Sequence, residues 1–252
     1  MLGYIILGIL QGVFEWLPLS SEAIVTLANE FFLKKEISNS IDLSLFLHFG
    51  TLLAVLIYFK KDWREILELK NIKLLYFLTI ATITSLILGF PLYKLVKNVA
   101  VGNFLLLITG FGLFFTGFLR KKEKKFKNRD YNFKLALIAG FFQGLAVIPG
   151  VSRSGVTIFA LSLGGFSFPE ILKISYMMSL PVVFLSSFYL LLKNPILIFE
   201  GWISLIFSFL VGIFTLDFLI KLTKKVNFSK IAFFFGFLCI LSALINFFVK
   251  FY

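Results

Sequence analysis

The sequence predicts an all-α integral membrane protein with six transmembrane helices and two re-entrant helical hairpins in an inverted repeat. Three observations support this fold class. Of the 252 residues, 59% are hydrophobic, apolar runs of about 20 residues recur, and two further apolar segments are interrupted in the middle. Soluble domains contain about 45–50% apolar residues. The apolar runs also lack the alternation of transmembrane β-strands, so we expect several helical crossings.

The uninterrupted apolar runs predict the transmembrane helices. Each run is long enough to cross about 30 Å of hydrocarbon as a helix. The predicted spans are 43–59, 73–93, 101–119, 170–192, 199–220 and 231–249.

Two apolar segments, 1–30 and 133–165, are broken and predict the re-entrant hairpins. The breaks read Pro-Leu-Ser-Ser from Pro18 and Pro-Gly-Val-Ser-Arg-Ser-Gly from Pro149. Proline removes a backbone donor and glycine relaxes a helix, and each piece beside a break is too short to span the membrane. Non-helical backbone at membrane depth is tolerated only where it is buried in protein or lines a wet cavity. The breaks are therefore candidate sites.

The two breaks also resemble each other. A Gln-Gly pair precedes a serine by nine residues in both, at Gln11 and Ser20 and at Gln143 and Ser152. Three predicted spans follow each hairpin, and an odd number of crossings inverts the second half in the membrane. This predicts a first repeat over 1–119, a basic cytoplasmic linker over 120–132 and a second repeat over 133–252.

Glu15 is the first candidate catalytic residue. It lies four residues after Gln11, so both side chains share a helix face. A carboxylate at membrane depth is costly and usually functional. The alternative is a structural ion pair with Arg153.

Arg153 lies in the second break and is a candidate phosphate-binding residue. A guanidinium binds phosphate in bidentate fashion. The helix that follows would direct its N–H groups and the positive end of its dipole at the same anion. The alternative is a capped helix start with a snorkelling arginine, which is less expected mid-segment than near a helix end.

Ser20, Ser21 and Glu22 end the first break. Either serine is a nucleophile or an N-cap of the next helix, and Glu22 is either a favourable first-turn charge or a second carboxylate for a metal or a proton. His48 is the only histidine. We expect it to be a hydrogen-bonded packing residue, because a single histidine with no cysteine partner is no zinc signature.

Two motifs together resemble the undecaprenyl-pyrophosphate phosphatase family of bacitracin-resistance proteins. The first is QGVFEWLPLSS from Gln11 to Ser21, and the second is PGVSRSG from Pro149 to Gly155. Their spacing and the helix count agree with the family over nearly the whole chain. The resemblance implies a prokaryotic cell-membrane enzyme that hydrolyses an undecaprenyl-type isoprenoid pyrophosphate to the monophosphate and phosphate. The lipid carrier would then re-enter cell-envelope synthesis.

The resemblance further implies roles for residues at matching motif positions. The family's Glu/Gln-x-x-x-Glu pattern coincides with Gln11 and Glu15, and its members use a divalent cation, Mg²⁺ or Ca²⁺. The paired serines and the phosphate-binding arginine motif coincide with Ser20, Ser21, Ser152, Arg153, Ser154 and Gly155.

One departure from the family concerns its catalytic histidine. The family usually continues from the serines to a Gly-His pair, whereas this chain has Ala23 and Ile24. Ile24 cannot transfer a proton or attack phosphorus. We hypothesise that Glu22 partly replaces the histidine by binding the metal with Glu15 and activating a water. Otherwise the chain has lost the reaction and kept the fold.

A non-catalytic lipid-phosphate carrier or flippase is the second interpretation, because inverted repeats with broken helices are typical of transporters. An ion channel is disfavoured, since no ring of charges or filter-like run is visible.

The expected partners are the isoprenoid pyrophosphate and membrane lipids. Nucleic acid is not expected, because the net charge of +12 comes mostly from residues between apolar runs, without base-stacking aromatics. The oligomeric state stays open, with a homodimer as one alternative.

The distribution of Lys and Arg predicts the membrane orientation. Eighteen of the 25 basic residues fall on the side of loops 60–73 and 120–134, six fall on the opposite side, and the remaining one is Arg153. The basic side is expected to be cytoplasmic, with both termini and the opening of the first hairpin outside.

A cysteine introduced near residue 125 should therefore resist an impermeant thiol reagent in intact cells. Labelling from outside at that position would overturn the topology.

Overall fold

The computed structural model describes residues 1–33, 37–95, 100–119, 131–148 and 151–249. These residues form helices and connecting turns without a strand, so the all-α prediction is confirmed for them. Most of the predicted basic linker, together with Pro149 and Gly150, lies outside the described residues. The helices of the described residues are α1 (Leu2–Phe14), α2 (Ser21–Leu33), α3 (Ile37–Tyr58), α4 (Lys60–Leu67), α5 (Ile72–Leu95), α6 (Ala100–Leu119), α7 (Phe133–Leu145), α8 (Arg153–Ser162), α9 (Phe168–Lys193), α10 (Ile196–Lys225) and α11 (Phe228–Val249).

Four helices in the described ranges are long and apolar enough to cross a membrane. They are α9, α10, Ile72–Leu92 within α5 and Phe228–Ile245 within α11, and they coincide with four of the predicted spans. A fifth crossing is counted if Asp42–Tyr58 of α3 and the whole of α4, bent by 73°, form one span. The predicted span 101–119 coincides with α6. The chain is thus a multi-pass membrane protein, while the total of six spans stays a prediction.

Each broken apolar segment forms a pair of short helices. In the first pair, α1 contacts α2, and the chain turns between Phe14 and Ser21. In the second pair, α7 contacts α8. Asn132 caps α7 by accepting a hydrogen bond from the backbone N–H of Leu135 at 2.8 Å, which satisfies one of the unpaired donors of the first turn. Both predicted breaks are therefore real interruptions of helix, and their re-entrant path through the membrane stays a prediction.

The chain divides into two compact units that interleave in sequence. The first unit comprises Met1–Trp16, Ser20–Lys60 and Ser179–Leu219, and the second comprises Leu17–Leu19, Lys61–Met178 and Ile220–Tyr252. Within the first unit, α3 contacts both α1 and α2, and within the second, α5 packs on α7 and α6 on α11. These units divide the chain differently from the predicted repeats. The units describe compactness, whereas the repeats describe symmetry, so the repeats stay a prediction.

Close backbone approach between α1 and α10 within the first unit depends on glycine. A Cβ atom at Gly8 would overlap the carbonyl group of Ser204 and lie 2.7 Å from Cβ of Phe207. A backbone carbonyl cannot rotate away as a side chain can. The approach of these two helices is therefore incompatible with any larger residue at position 8.

The substitution Gly8→Ala should lower the free energy of unfolding by about 1–3 kcal/mol, because overpacking forces the two backbones apart. The matched control is Gly212→Ala on α10, where the nearest atom to an added Cβ is Thr51 Cγ2 at an ordinary 3.4 Å. Thermal unfolding of both purified variants in the same detergent measures the difference. Equal melting temperatures for the two would contradict this account of the helix contact.

Candidate active site

Glu15 accepts hydrogen bonds from both helices of the first hairpin. Gln11 lies one turn earlier on α1 and donates its Nε2 to Glu15 Oε2 at 2.9 Å. Ser21, the first residue of α2, donates its Oγ to the same oxygen at 2.9 Å. The turn between the helices thus brings residues on both of its sides to one carboxylate oxygen.

This carboxylate is buried inside the first unit. Glu15 is 6% exposed and Gln11 is 0% exposed. A buried carboxylate is tolerated only when hydrogen bonds or opposite charges compensate for its lost hydration. The two donors on α1 and α2 supply part of that compensation.

His48 on α3 is the third residue at the same oxygen. Its Nε2 lies 3.1 Å from Glu15 Oε2, and its Nδ1 lies 2.9 Å from the backbone carbonyl oxygen of Ser44. A carbonyl oxygen only accepts hydrogen bonds, so Nδ1 must carry a proton. Three helices therefore converge on Glu15.

His48 is not among the site residues predicted from the sequence. As a single histidine in an apolar helix, it is expected to be a hydrogen-bonded packing residue. A signal was nevertheless present, because Ser44, His48 and Thr51 recur at helical spacing and form a polar line on one face of α3. Ser44 and Thr51 are buried, and Thr51 donates its hydroxyl to the carbonyl oxygen of His48 at 3.0 Å.

A small pocket opens beside this cluster within the first unit. Trp16 forms one wall and is held by hydrogen bonds from Nε1 to the carbonyl oxygen of Gly212 and to Thr215 Oγ1, both at 3.0 Å. The pocket therefore has an acidic and an imidazole side chain on a largely apolar lining. Its lining residues are Glu15, Trp16, His48, Thr51, Leu52, Val55, Ser179 and Val183.

Glu22 and Ser20 also lie in the first unit. Glu22 is partly buried and close enough to Glu15 and His48 to interact electrostatically with both. Ser20 is buried, and its carbonyl oxygen accepts a hydrogen bond from the backbone N–H of Ile24 at 3.1 Å, in the first turn of α2. The structure thus places a second carboxylate within electrostatic range of Glu15, and a catalytic role for Glu22 stays a prediction.

The second break forms the start of α8 in the second unit. Ser152 is its N-cap, and its hydroxyl accepts a hydrogen bond from the backbone N–H of Gly155 at 3.2 Å. Ser154 donates its hydroxyl to the carbonyl oxygen of Leu17 at 2.6 Å. A Cβ at Gly155 would lie 3.3 Å from Pro18 Cβ, which is a tight contact. The loop that carries Arg153 is thereby fixed against the Leu17–Leu19 segment.

Arg153 is the first residue of α8 and is held near its own helix start. Its Nη1 donates to the carbonyl oxygen of Ser175 on α9 at 3.5 Å. One turn further along α8, Thr157 Oγ1 lies 2.6 Å from Ser175 Oγ and donates to the carbonyl oxygen of Arg153 at 2.8 Å. Arg153 therefore begins a helix whose N-terminal turn suits an anion, and its guanidinium contacts α9. The predicted approach of Arg153 to Glu15 stays a prediction.

Comparison with known proteins places the chain in a family. Residues 4–245 match the model of the family described as bacitracin resistance protein BacA. The chain belongs to this family. Three similar proteins carry the name undecaprenyl-diphosphatase. The one from Methanococcoides burtonii is 34% identical over 94% of this chain and 96% of its own length. The one from Sulfurisphaera tokodaii is 32% identical over 94% of this chain and 94% of its own length. The one from Thermosipho africanus is 36% identical over 98% of this chain and 100% of its own length.

The donor atoms in this BacA-family chain fit a hard divalent cation. Gln11 Oε1 is buried and has no hydrogen-bond partner in the described part of the chain, and it lies on the side chain adjacent to the Glu15 carboxylate. The described residues contain no cluster of three or more His, Cys, Asp or Glu side chains that would form a closed metal site. Mg²⁺ commonly binds through one or two carboxylates and completes its coordination with water and substrate phosphate. Gln11 and Glu15 therefore fit a cation shared with a phosphorylated substrate.

Proposed function

We propose that this protein hydrolyses an undecaprenyl-type isoprenoid pyrophosphate to the lipid monophosphate and inorganic phosphate. The supporting observation is the Glu15 carboxylate, buried among membrane helices and hydrogen-bonded by Ser21 and Gln11. The name undecaprenyl-diphosphatase, carried by relatives over nearly their full length, identifies the substrate class. In a prokaryotic cell membrane the product would be available again as a carrier for envelope synthesis.

Arg153 and the start of α8 are assigned to binding the pyrophosphate. The guanidinium presents a fork of N–H donors that matches two phosphate oxygens. The N–H groups and dipole of the first turn of α8 favour the same negative charge. Ser152, Ser154 and Gly155 shape this loop and bind the phosphate with it.

Glu15 is assigned to proton transfer during the attack on the terminal phosphorus. The attacking group is Ser21 Oγ or a water, and its proton passes to Glu15. A new P–O bond forms while the bond from that phosphorus to the bridging oxygen breaks, and this oxygen leaves with the lipid monophosphate. If Ser21 attacks, its proton acceptor is already 2.9 Å away, and a water then hydrolyses the phosphoserine. Positioning and charge neutralisation supply most of the catalysis of such reactions.

A divalent cation, Mg²⁺ or Ca²⁺, is the proposed cofactor, with Gln11 Oε1 and Glu15 as its protein ligands. When bound, it would neutralise charge that develops on the phosphate oxygens. The orphaned buried oxygen of Gln11 supports this assignment.

The proposed membrane arrangement has six spans, two re-entrant hairpins, both termini outside and an active site that opens outward. It is supported by the asymmetric distribution of basic residues and by the helix pairs at both breaks. Many large apolar side chains are exposed, among them Phe184, Phe188 and Phe214. Such surfaces suit contact with lipid tails, including that of the substrate.

Phosphate release from undecaprenyl pyrophosphate by the purified protein tests the function. We expect turnover in the wild type that is abolished by a chelator and restored by Mg²⁺ or Ca²⁺. Arg153→Lys should lose most activity, because an ammonium cannot replace the bidentate fork. Lys134→Arg at the start of α7 is a matched control for exchanging basic side chains. A wild type inert towards every lipid pyrophosphate would instead favour the non-catalytic carrier.

Glu22→Gln tests whether the second carboxylate participates in catalysis. If Glu22 handles a proton, turnover should fall by about 10²-fold or more while folding and lipid binding persist. Glu170→Gln is the matched control, since Glu170 is a first-turn carboxylate that accepts hydrogen bonds from the N–H and hydroxyl of Ser167 at 3.1 and 2.7 Å. It should change stability and leave turnover intact. Near wild-type turnover in Glu22→Gln would reduce Glu22 to a first-turn charge.

A further inference from the structure

His48 is held at both ring nitrogens within the Glu15 cluster. Nδ1 faces the carbonyl oxygen of Ser44 at 2.9 Å, and Nε2 faces Glu15 Oε2 at 3.1 Å. The first contact lies within α3 and sets the rotation of the ring. The second contact joins α3 to the residue that follows α1.

The two contacts have different physical consequences. The Ser44 carbonyl is a helix backbone group, so the Nδ1 contact only orients the ring. Glu15 Oε2 is also the acceptor for Gln11 and Ser21. His48 makes the third contact to this oxygen. The carboxylate therefore cannot rotate without breaking at least one of its contacts to three helices. A side chain fixed in this way keeps its reactive geometry, and misplacement by about 1 Å can cost about 10²-fold in rate.

We propose that His48 is a positioning residue that holds the Glu15 carboxylate in its reactive orientation towards Ser21 and the pocket. This inference rests on the proposed function. His48 acts through its Nε2 contact with Glu15, and its Nδ1 contact with Ser44 serves only to aim the ring. It supplies from α3 a contact that the first hairpin alone does not provide.

Amide substitutions distinguish the two nitrogen contacts. Gln places its side-chain nitrogen where Nε2 lies, whereas Asn places it where Nδ1 lies, and both amides donate hydrogen bonds. We therefore expect His48→Gln to retain more activity than His48→Asn or His48→Leu. In the last two variants, kcat should fall by up to about 10²-fold, the loss expected when a catalytic group is misplaced by about 1 Å. The ratio kcat/KM should fall with it.

The measurement is steady-state phosphate release from undecaprenyl pyrophosphate by the full-length protein, with thermal unfolding of each variant. The control is Ser208→Ala, which removes a 2.9 Å hydrogen bond to the carbonyl oxygen of Leu47, the neighbour of His48 on α3. It should leave kcat unchanged. If His48→Leu fails to fold, the order of the Gln and Asn variants decides.

Three outcomes would overturn the inference. Asn retaining more activity than Gln would assign His48 a purely structural contact with Ser44. A fall in kcat for Ser208→Ala equal to that for His48→Leu would attribute the effect to packing of α3. A wild type that releases no phosphate would overturn the proposed function as well, whereas the first two outcomes leave that function intact.

Discussion

Hydrogen bonding to the buried Glu15 carboxylate joins three helices of the first unit. Transferring an ionised carboxylate from water into an apolar interior costs on the order of several kcal/mol unless it is compensated. Compensation comes from Gln11, Ser21 and His48, each on a different helix. The relative rotation of α1, α2 and α3 must therefore satisfy this one oxygen. The same requirement that stabilises the carboxylate also arranges a hydroxyl beside a potential proton acceptor.

The two hairpins have similar breaks but carry different residues at corresponding positions. Their Gln-Gly pairs and serines have the same spacing, yet the position that corresponds to Glu15 is Val147, and the one that corresponds to Ser21 is Arg153. Gln11 donates to a carboxylate, whereas Gln143 donates to the carbonyl oxygen of Met178 at 3.2 Å. One hairpin thus holds a buried negative group and the other a positive group at a helix start. These two groups are the ones to which the proposed function assigns proton transfer and phosphate binding.

Local pattern was informative wherever neighbours in sequence are neighbours in space. The apolar runs located α5, α9, α10 and α11, because a span is defined by length and composition. The i, i+4 spacing placed Gln11 beside Glu15, since one helical turn separates them. Proline and glycine located both interruptions. The serine before Arg153 also caps its helix as such a position favours.

The sequence by itself determined an all-helical membrane chain, the two breaks and most of the polar residues at them. Only the tertiary structure decided that His48 reaches Glu15, that Ser154 holds Leu17 and that Gly8 admits the backbone of α10. These contacts depend on how far each helix is rotated and shifted against another. Periodicity defines a helix face but not the partner that this face meets, because many registers bury the same apolar area. The register observed here also brings Gln11, Ser21 and His48 to the Glu15 carboxylate.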